Sequence, residues 1–236
     1  MSSGATGTKT GHLTPELFTF LRALKRNNTR EWFERNKPRY IEHVRDPMLH
    51  FIADFAPKLQ RISPHVMADP RPTGGSMFRI YRDVRFSKDK RPYKTAATAQ
   101  FRHERGKDVH APGYYLHLGT DGVYVGTGIW RPDADALRNI RQAIVDKPKE
   151  WKRIVSAKPF KDGRLEPHGD SLKRPPKGFD PEHPLIEDLK RKDYVTFTTL
   201  DEETACAPDF LDTYTKTCRS AGPYVKFIAD ALGLEW

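Results

Sequence analysis

Cysteine is scarce in this sequence: Cys206 and Cys218 are the only two. They form no Cys-x-x-Cys pair, so neither a zinc ribbon nor a disulfide framework is expected. Sparse cysteine suits a reducing, cytoplasmic setting. Long apolar runs are also missing. No stretch reaches the roughly 18 residues that would suggest a membrane-spanning helix, so no membrane association is expected. Met1–His12, rich in Ser, Thr and Gly, has no apolar segment of the secretory type and reads as a disordered tail ahead of a single domain, residues 13–236. No Walker, HExxH or GxSxG motif occurs, which removes the usual phosphate-loop, zinc-protease and hydrolase signatures. The nine histidines are scattered without clustered carboxylates, so no metal site and no cofactor are expected.

Positive charge is plentiful. The 236 residues carry 41 Lys and Arg against 31 Asp and Glu, a formal balance of +10. Such a surface attracts polyanions, whether a phosphate-bearing small molecule or nucleic acid, although charge alone also serves solubility. Hydrophobic residues are lean at 37%, but aromatics reach 11%, and each ring buries a large area.

The pattern along the chain predicts helices at both ends of an antiparallel sheet. Thr14-Pro15 opens a helix carrying Leu17, Phe20, Leu21 and Leu24. Asn28-Thr-Arg-Glu31 reads as a capping box for a second helix, and a third is expected from near Pro38 to about Ile62, kinked or broken at Pro47. Met77–Asp83 alternates as a half-buried strand would. Ala97–Arg102, Tyr114–Gly119 and Val123–Trp130 follow as strands, the last two joined through Asp121-Gly122, a hairpin signal. Helices are expected from Pro132 and around Trp151, a short strand near Arg164-Leu165, a helix at Leu185–Leu189, and a strand at Tyr194–Thr199. Two helices, Pro208–Arg219 and Pro223–Leu232, close the chain. The fold class is α+β: one domain with a central antiparallel meander packed by N-terminal and C-terminal helices.

Two places carry chemistry. The first is Arg79–Lys94, where sixteen residues hold seven cations and two acids, half of the net charge of the protein. Arg79, Arg82, Arg85, Lys88, Arg91 and Lys94 suit an anionic ligand, and Tyr81 and Tyr93 supply rings to stack on it. The alternative is an edge segment whose arginines pair with Asp83 and Asp89. The second is the hairpin. A turn at Asp121-Gly122 sets Leu118 opposite Val125, His117 opposite Gly126 and Tyr115 opposite Gly128. Tyr115, His117, Tyr124, Gly126, Gly128 and Trp130 then share the face away from the core. Two glycines there bare the backbone between rings and make a shallow trough, unless a second helical layer fills it. Gly126-x-Gly128 is not a dinucleotide fingerprint, since it lies inside a hairpin and lacks a third glycine.

Phe78-Arg-Ile-Tyr-Arg-Asp-Val-Arg-Phe-Ser-Lys-Asp-Lys-Arg-Pro-Tyr-Lys94, with Pro112–His117, Gly126–Pro132, Leu137–Arg141, Pro175–Phe179 and Lys192–Tyr194, resembles the bacterial and fungal family called domain of unknown function 2461. The likeness extends from about Leu13 to Leu232. It implies one compact α+β domain and brings no reaction, cofactor or catalytic residue with it. Three readings stay open: a binding module for an anionic ligand or nucleic acid; an enzyme with His117 or Asp83 as acid–base group; or a scaffold without a ligand.

Overall fold

Thr14 sits in extended conformation ahead of α1 (Pro15–Arg26), whose Leu17, Phe20, Leu21 and Leu24 are fully buried. Their spacing puts them on one stripe of the helix. The cap of α2 (Arg30–Tyr40) is Thr29, which accepts the Trp32 N–H, and not Asn28. Asn28 instead pairs its amide with both the N–H and the carbonyl of Tyr93, 65 residues away, so a residue expected to cap a helix fixes a distant loop.

The computed structural model describes residues 11–106, 111–162 and 164–236. Most of the expected tail, Met1–Thr10, lies outside them. His12, assigned to that tail, packs edge-on against Phe51 with Nε2 2.8 Å from Asp54.

The expected helix from Pro38 is corrected. α2 runs through Pro38 to Tyr40, a π-helical turn covers Ile41–Arg45, and α3 (Asp46–Leu59) follows without a break. The wide turn falls just before Pro47, whose ring lacks an N–H and would crowd the carbonyl four residues back. The end of the chain is also corrected. After α8 (Glu202–Cys206), one 22-residue helix, α9 (Phe210–Ala231), passes through Pro223. Pro223 itself is exposed, but Ala221, Gly222, Tyr224 and Val225 on either side of it are buried, and packing on this scale outweighs the loss of one helical hydrogen bond.

Between these helices lies a five-stranded antiparallel sheet: β1 (Ala96–Arg102), β2 (Gly113–Gly119), β3 (Gly122–Ile129), β4 (Glu166–His168) and β5 (Tyr194–Leu200), in the order β1-β2-β3-β5-β4. β4 lies two residues beyond the expected Arg164-Leu165. Met77–Asp83 is not a strand. It touches β1 through one bridge, Met77 to Ala99, and the Phe78 N–H donates to the Thr98 carbonyl. Beyond that it leaves the sheet, and Arg82 and Lys94 bond back to Pro92 and Ile80, closing a loop instead of extending the ladder.

The hairpin register differs from the expected one by two residues. Gly119 pairs with Gly122, Leu118 with Val123, His117 with Tyr124 and Tyr115 with Gly126. The turn is therefore Thr120-Asp121. Because side chains alternate with period two, a shift of two changes partners but keeps faces. Tyr114, Leu116, Leu118, Val123 and Val125 all point into the core. That core joins the inner sheet face to α1, α3 and α9, and a second cluster gathers α4 (Ala134–Asp146), α5 (Pro148–Val155), α7 (Ile186–Leu189) and the end of α9 around Trp151 and Tyr194. Between α5 and β4 lies the short α6 (Lys158–Lys161). The molecule is an α+β domain, with helices on one face of the sheet.

Candidate functional site

The other face of the sheet is a trough of about 670 Å3. Strand alternation builds its floor: Thr98 and Gln100 from β1, Tyr115 and His117 from β2, Tyr124, Gly126 and Gly128 from β3, and Val195 and Phe197 from β5. Phe78 and Lys94 form one wall, and Trp130 and His168 stand at the other end. The volume is in the range of small-molecule sites. Among the described residues no helix lines it, so the alternative of a second helical layer is not seen there.

The rings form a continuous row across the strands. His117 stacks on Tyr124 at 4.3 Å, Tyr124 on Phe197 at 4.8 Å, Phe197 on His168 at 4.4 Å, and His168 lies 6.3 Å from Trp130 with nearly parallel planes. The two glycines have different causes. A side chain at Gly126 would press on the Phe197 ring and the Tyr115 Cβ, so its absence lets neighbouring rings settle across the strand. Gly128 has φ +110°, and a Cβ there would strike the Tyr194 carbonyl; the backbone itself requires it.

Asp193 holds the far end in place. Its buried carboxylate accepts the N–H of Arg131 at 2.8 Å and that of Asp170 at 3.0 Å. Arg131 has φ +49°, a conformation costly for an arginine, and it follows Trp130 directly. Asp170 comes two residues after His168. One carboxylate thus ties down the chain beside both end rings.

At the near end, His117 is 7% exposed. Its Nε2 is 2.9 Å from Asp121 Oδ1 and its Nδ1 is 3.3 Å from the Tyr115 hydroxyl. With Nε2–H donating to the carboxylate, Nδ1 is left to accept from Tyr115. Partial burial opposes the charge on Asp121, but the hydrogen bond from His117 outweighs it and the carboxyl is held below its usual range. Burial, with Tyr124 beside it, pushes the Tyr115 phenol well up, so it keeps its proton. Reading the sequence assigned Asp121 to the turn and missed it as the partner of His117. The available signal was spacing: His117, Gly119 and Asp121 share one face, with a glycine between them.

The cationic segment is arranged differently from the trough. Asp83 binds Arg85 at 2.7 Å, and Asp89 binds both Arg82 and Arg91 at 2.7 Å. The guanidinium of Arg85 hydrogen-bonded to Asp83 lowers that carboxyl to about 2, and the one of Arg91 lowers Asp89 further still. Arg79 acts on Asp83 through its charge without a salt bridge, Lys88 forms no salt bridge among the described residues, and neither lines the trough. Tyr81 is half exposed at the side of Tyr93, and Tyr93 is in the core, stacked on Phe33 at 4.1 Å. Only Lys94, with Phe78 just upstream, reaches the trough from this stretch. The Lys94 ammonium lies 5.1 Å from the Phe78 ring. Burial and the nearby Arg79 lower its pKa, and no carboxylate pairs with it among the described residues. Asp83 and His117, both weighed as acid–base groups, are not brought together: Asp83 belongs to the exposed loop.

The model of one protein family, described as "Conserved hypothetical protein (DUF2461)", matches residues 16–227. The chain belongs to this family. The DUF2461 match spans every element that builds the trough, from α1 to most of α9. No curated protein and no solved structure matches the chain. Within this DUF2461 member, no group of three His, Cys, Asp or Glu among the described residues is placed to hold a metal ion, and no described helix is long and apolar enough to cross a membrane.

Proposed function

We propose that this DUF2461 protein is a binding module for a small ligand with a flat, largely apolar body and one anionic group, phosphate or carboxylate, held in the trough. The observation that carries the reading is the pairing of a continuous ring-lined floor with an ammonium, Lys94, that no carboxylate compensates among the described residues. Rings offer stacking surfaces to planar or sugar-like groups. An ammonium in partly desolvated surroundings favours an anion more strongly than one in open water. Arg82, Arg85 and Arg91 are already paired within their own loop, which weighs against a long polyanion such as nucleic acid.

A thermal-shift screen tests this with nucleoside monophosphates, aromatic carboxylates, sugar phosphates and a short single-stranded oligonucleotide. A ligand of the folded state raises the melting temperature by mass action. The expected result is stabilisation by a monoanionic aromatic compound or nucleoside monophosphate, reduced in Lys94→Ala. Stabilisation by the oligonucleotide alone, or by nothing in the panel, counts against it.

A second reading, acid–base catalysis in the same trough, is favoured by the Asp121–His117–Tyr115 chain, which orients the His117 ring and a protonated phenol toward one end of it. A bound compound recovered chemically unchanged after prolonged incubation removes that reading and leaves the first intact.

A further inference from the structure

A second concavity, of about 480 Å3, lies between α4 and the segment Leu172–Phe179. Two pieces of the sequence singled out earlier, Leu137–Arg141 and Pro175–Phe179, meet here, and the trough uses neither. The charged residues lining it are Arg138, Arg141 and Lys177, and no carboxylate among the described residues lines it. Arg138 and Arg141 are three apart on α4 and so share a face. Arg138 and Lys177 are exposed and have no carboxylate partner among the described residues. Arg141 is 8% exposed: one amino group donates to the Arg191 carbonyl at 2.9 Å, and its Nε is buried with no hydrogen-bond partner.

A buried guanidinium without a counter-charge is costly, and two further cations at the same concavity repel it. An oxyanion would offset both costs, accepting charge-assisted hydrogen bonds from guanidinium forks and an ammonium. Three cations match the nearly double charge of a phosphate better than the single charge of a carboxylate. The remaining walls, Leu172, Pro176 and Phe179, are apolar, and the space exceeds what a bare phosphate fills. We propose that this concavity binds a small phosphate monoester, with its phosphate among Arg138, Arg141 and Lys177 and its organic part against Phe179.

The site is independent of the trough, so it is tested on the full chain with its own probes: inorganic phosphate, phenyl phosphate and acetate, titrated at constant ionic strength and followed by amide chemical shifts. Saturable shifts are expected in α4 and Leu172–Phe179 with both phosphates, tighter for phenyl phosphate, and none there with acetate. Arg141 is buried and its removal risks the fold, so the exposed pair is changed instead. Arg138→Ala/Lys177→Ala should weaken phosphate binding about tenfold or more, while Lys149→Ala/Lys152→Ala, with equal charge loss elsewhere, should not. The assignment is overturned if the shifts do not saturate, if they fall outside these two segments, if both double variants weaken binding equally, or if phenyl phosphate binds no tighter than phosphate.

Discussion

Any side chain at Gly119 would collide with both His117 Nε2 and Asp121 Oδ1, because their hydrogen bond passes over its bare backbone. Gly119→Ala is therefore expected to separate the pair and lower the unfolding free energy by about 1 kcal/mol. Nitrogen NMR of the His117 ring reads the outcome: retention of the wild-type tautomer and of the Nε2–H hydrogen bond would contradict it. Asp83 gives a second test at this scale. Its carboxyl is lowered from 3.8 to about 2 in the folded state. Since the folded value is depressed, the ordering contributed by the Arg85 contact is complete above the ordinary carboxylate range and is lost as pH falls toward 2. The Asp83 carboxyl carbon shift should accordingly titrate near 2; a midpoint at 3.8 would mean that the pair does not persist in solution.

At the scale of elements, one small device recurs. In Asp69-Pro-Arg71, Asp83-Val-Arg85 and Asp89-Lys-Arg91 the carboxylate accepts the N–H two residues on and also binds the guanidinium of that residue. Each is an Asx turn closed by an ion pair. Counting charges in Arg79–Lys94 could not reveal this, because an Arg beside an Asp has the same composition whether it pairs locally or faces a ligand. Alternation likewise suggested a strand at Met77–Asp83, but only Met77 bridges β1 before local turns take over. The hairpin was more legible. Its faces follow from period two even though its register did not, since Thr120-Asp121, not Asp121-Gly122, occupies the turn. Asp193 was invisible to pattern reading: its partners, Arg131 and Asp170, are 62 and 23 residues away. Asp193→Ala leaves both N–H groups unpaired and should cost about 2 kcal/mol, measured by urea unfolding. It should also detach the Trp130 end of the trough, read as increased accessibility of Trp130 to a fluorescence quencher. An unchanged midpoint would show that these two bonds are dispensable.

On the scale of the whole molecule, helices cover one face of the sheet and the other is left concave and ring-lined. The α+β class was readable from the switch between helical and alternating periodicity. So was the trough in outline, because Tyr115, His117, Tyr124, Gly126, Gly128 and Trp130 share parity across a hairpin. His168 and Phe197, which complete the row of rings, come from strands about 44 and 73 residues beyond Tyr124, and only the order β3-β5-β4 brings them beside it. The same long-range assembly separates the cationic loop from the trough, leaving Lys94 as the one lysine or arginine that lines it among the described residues. The most direct measurement is a titration of isotope-labelled protein with adenosine monophosphate and with indole-3-acetate, observing the aromatic rings and the lysine ammonium groups. Saturable shifts confined to Tyr124, Phe197, His168, Trp130 and Lys94 with at least one of the two are predicted; shifts centred on Arg82–Arg91 instead, or no response of these rings to either compound, would contradict a ligand trough.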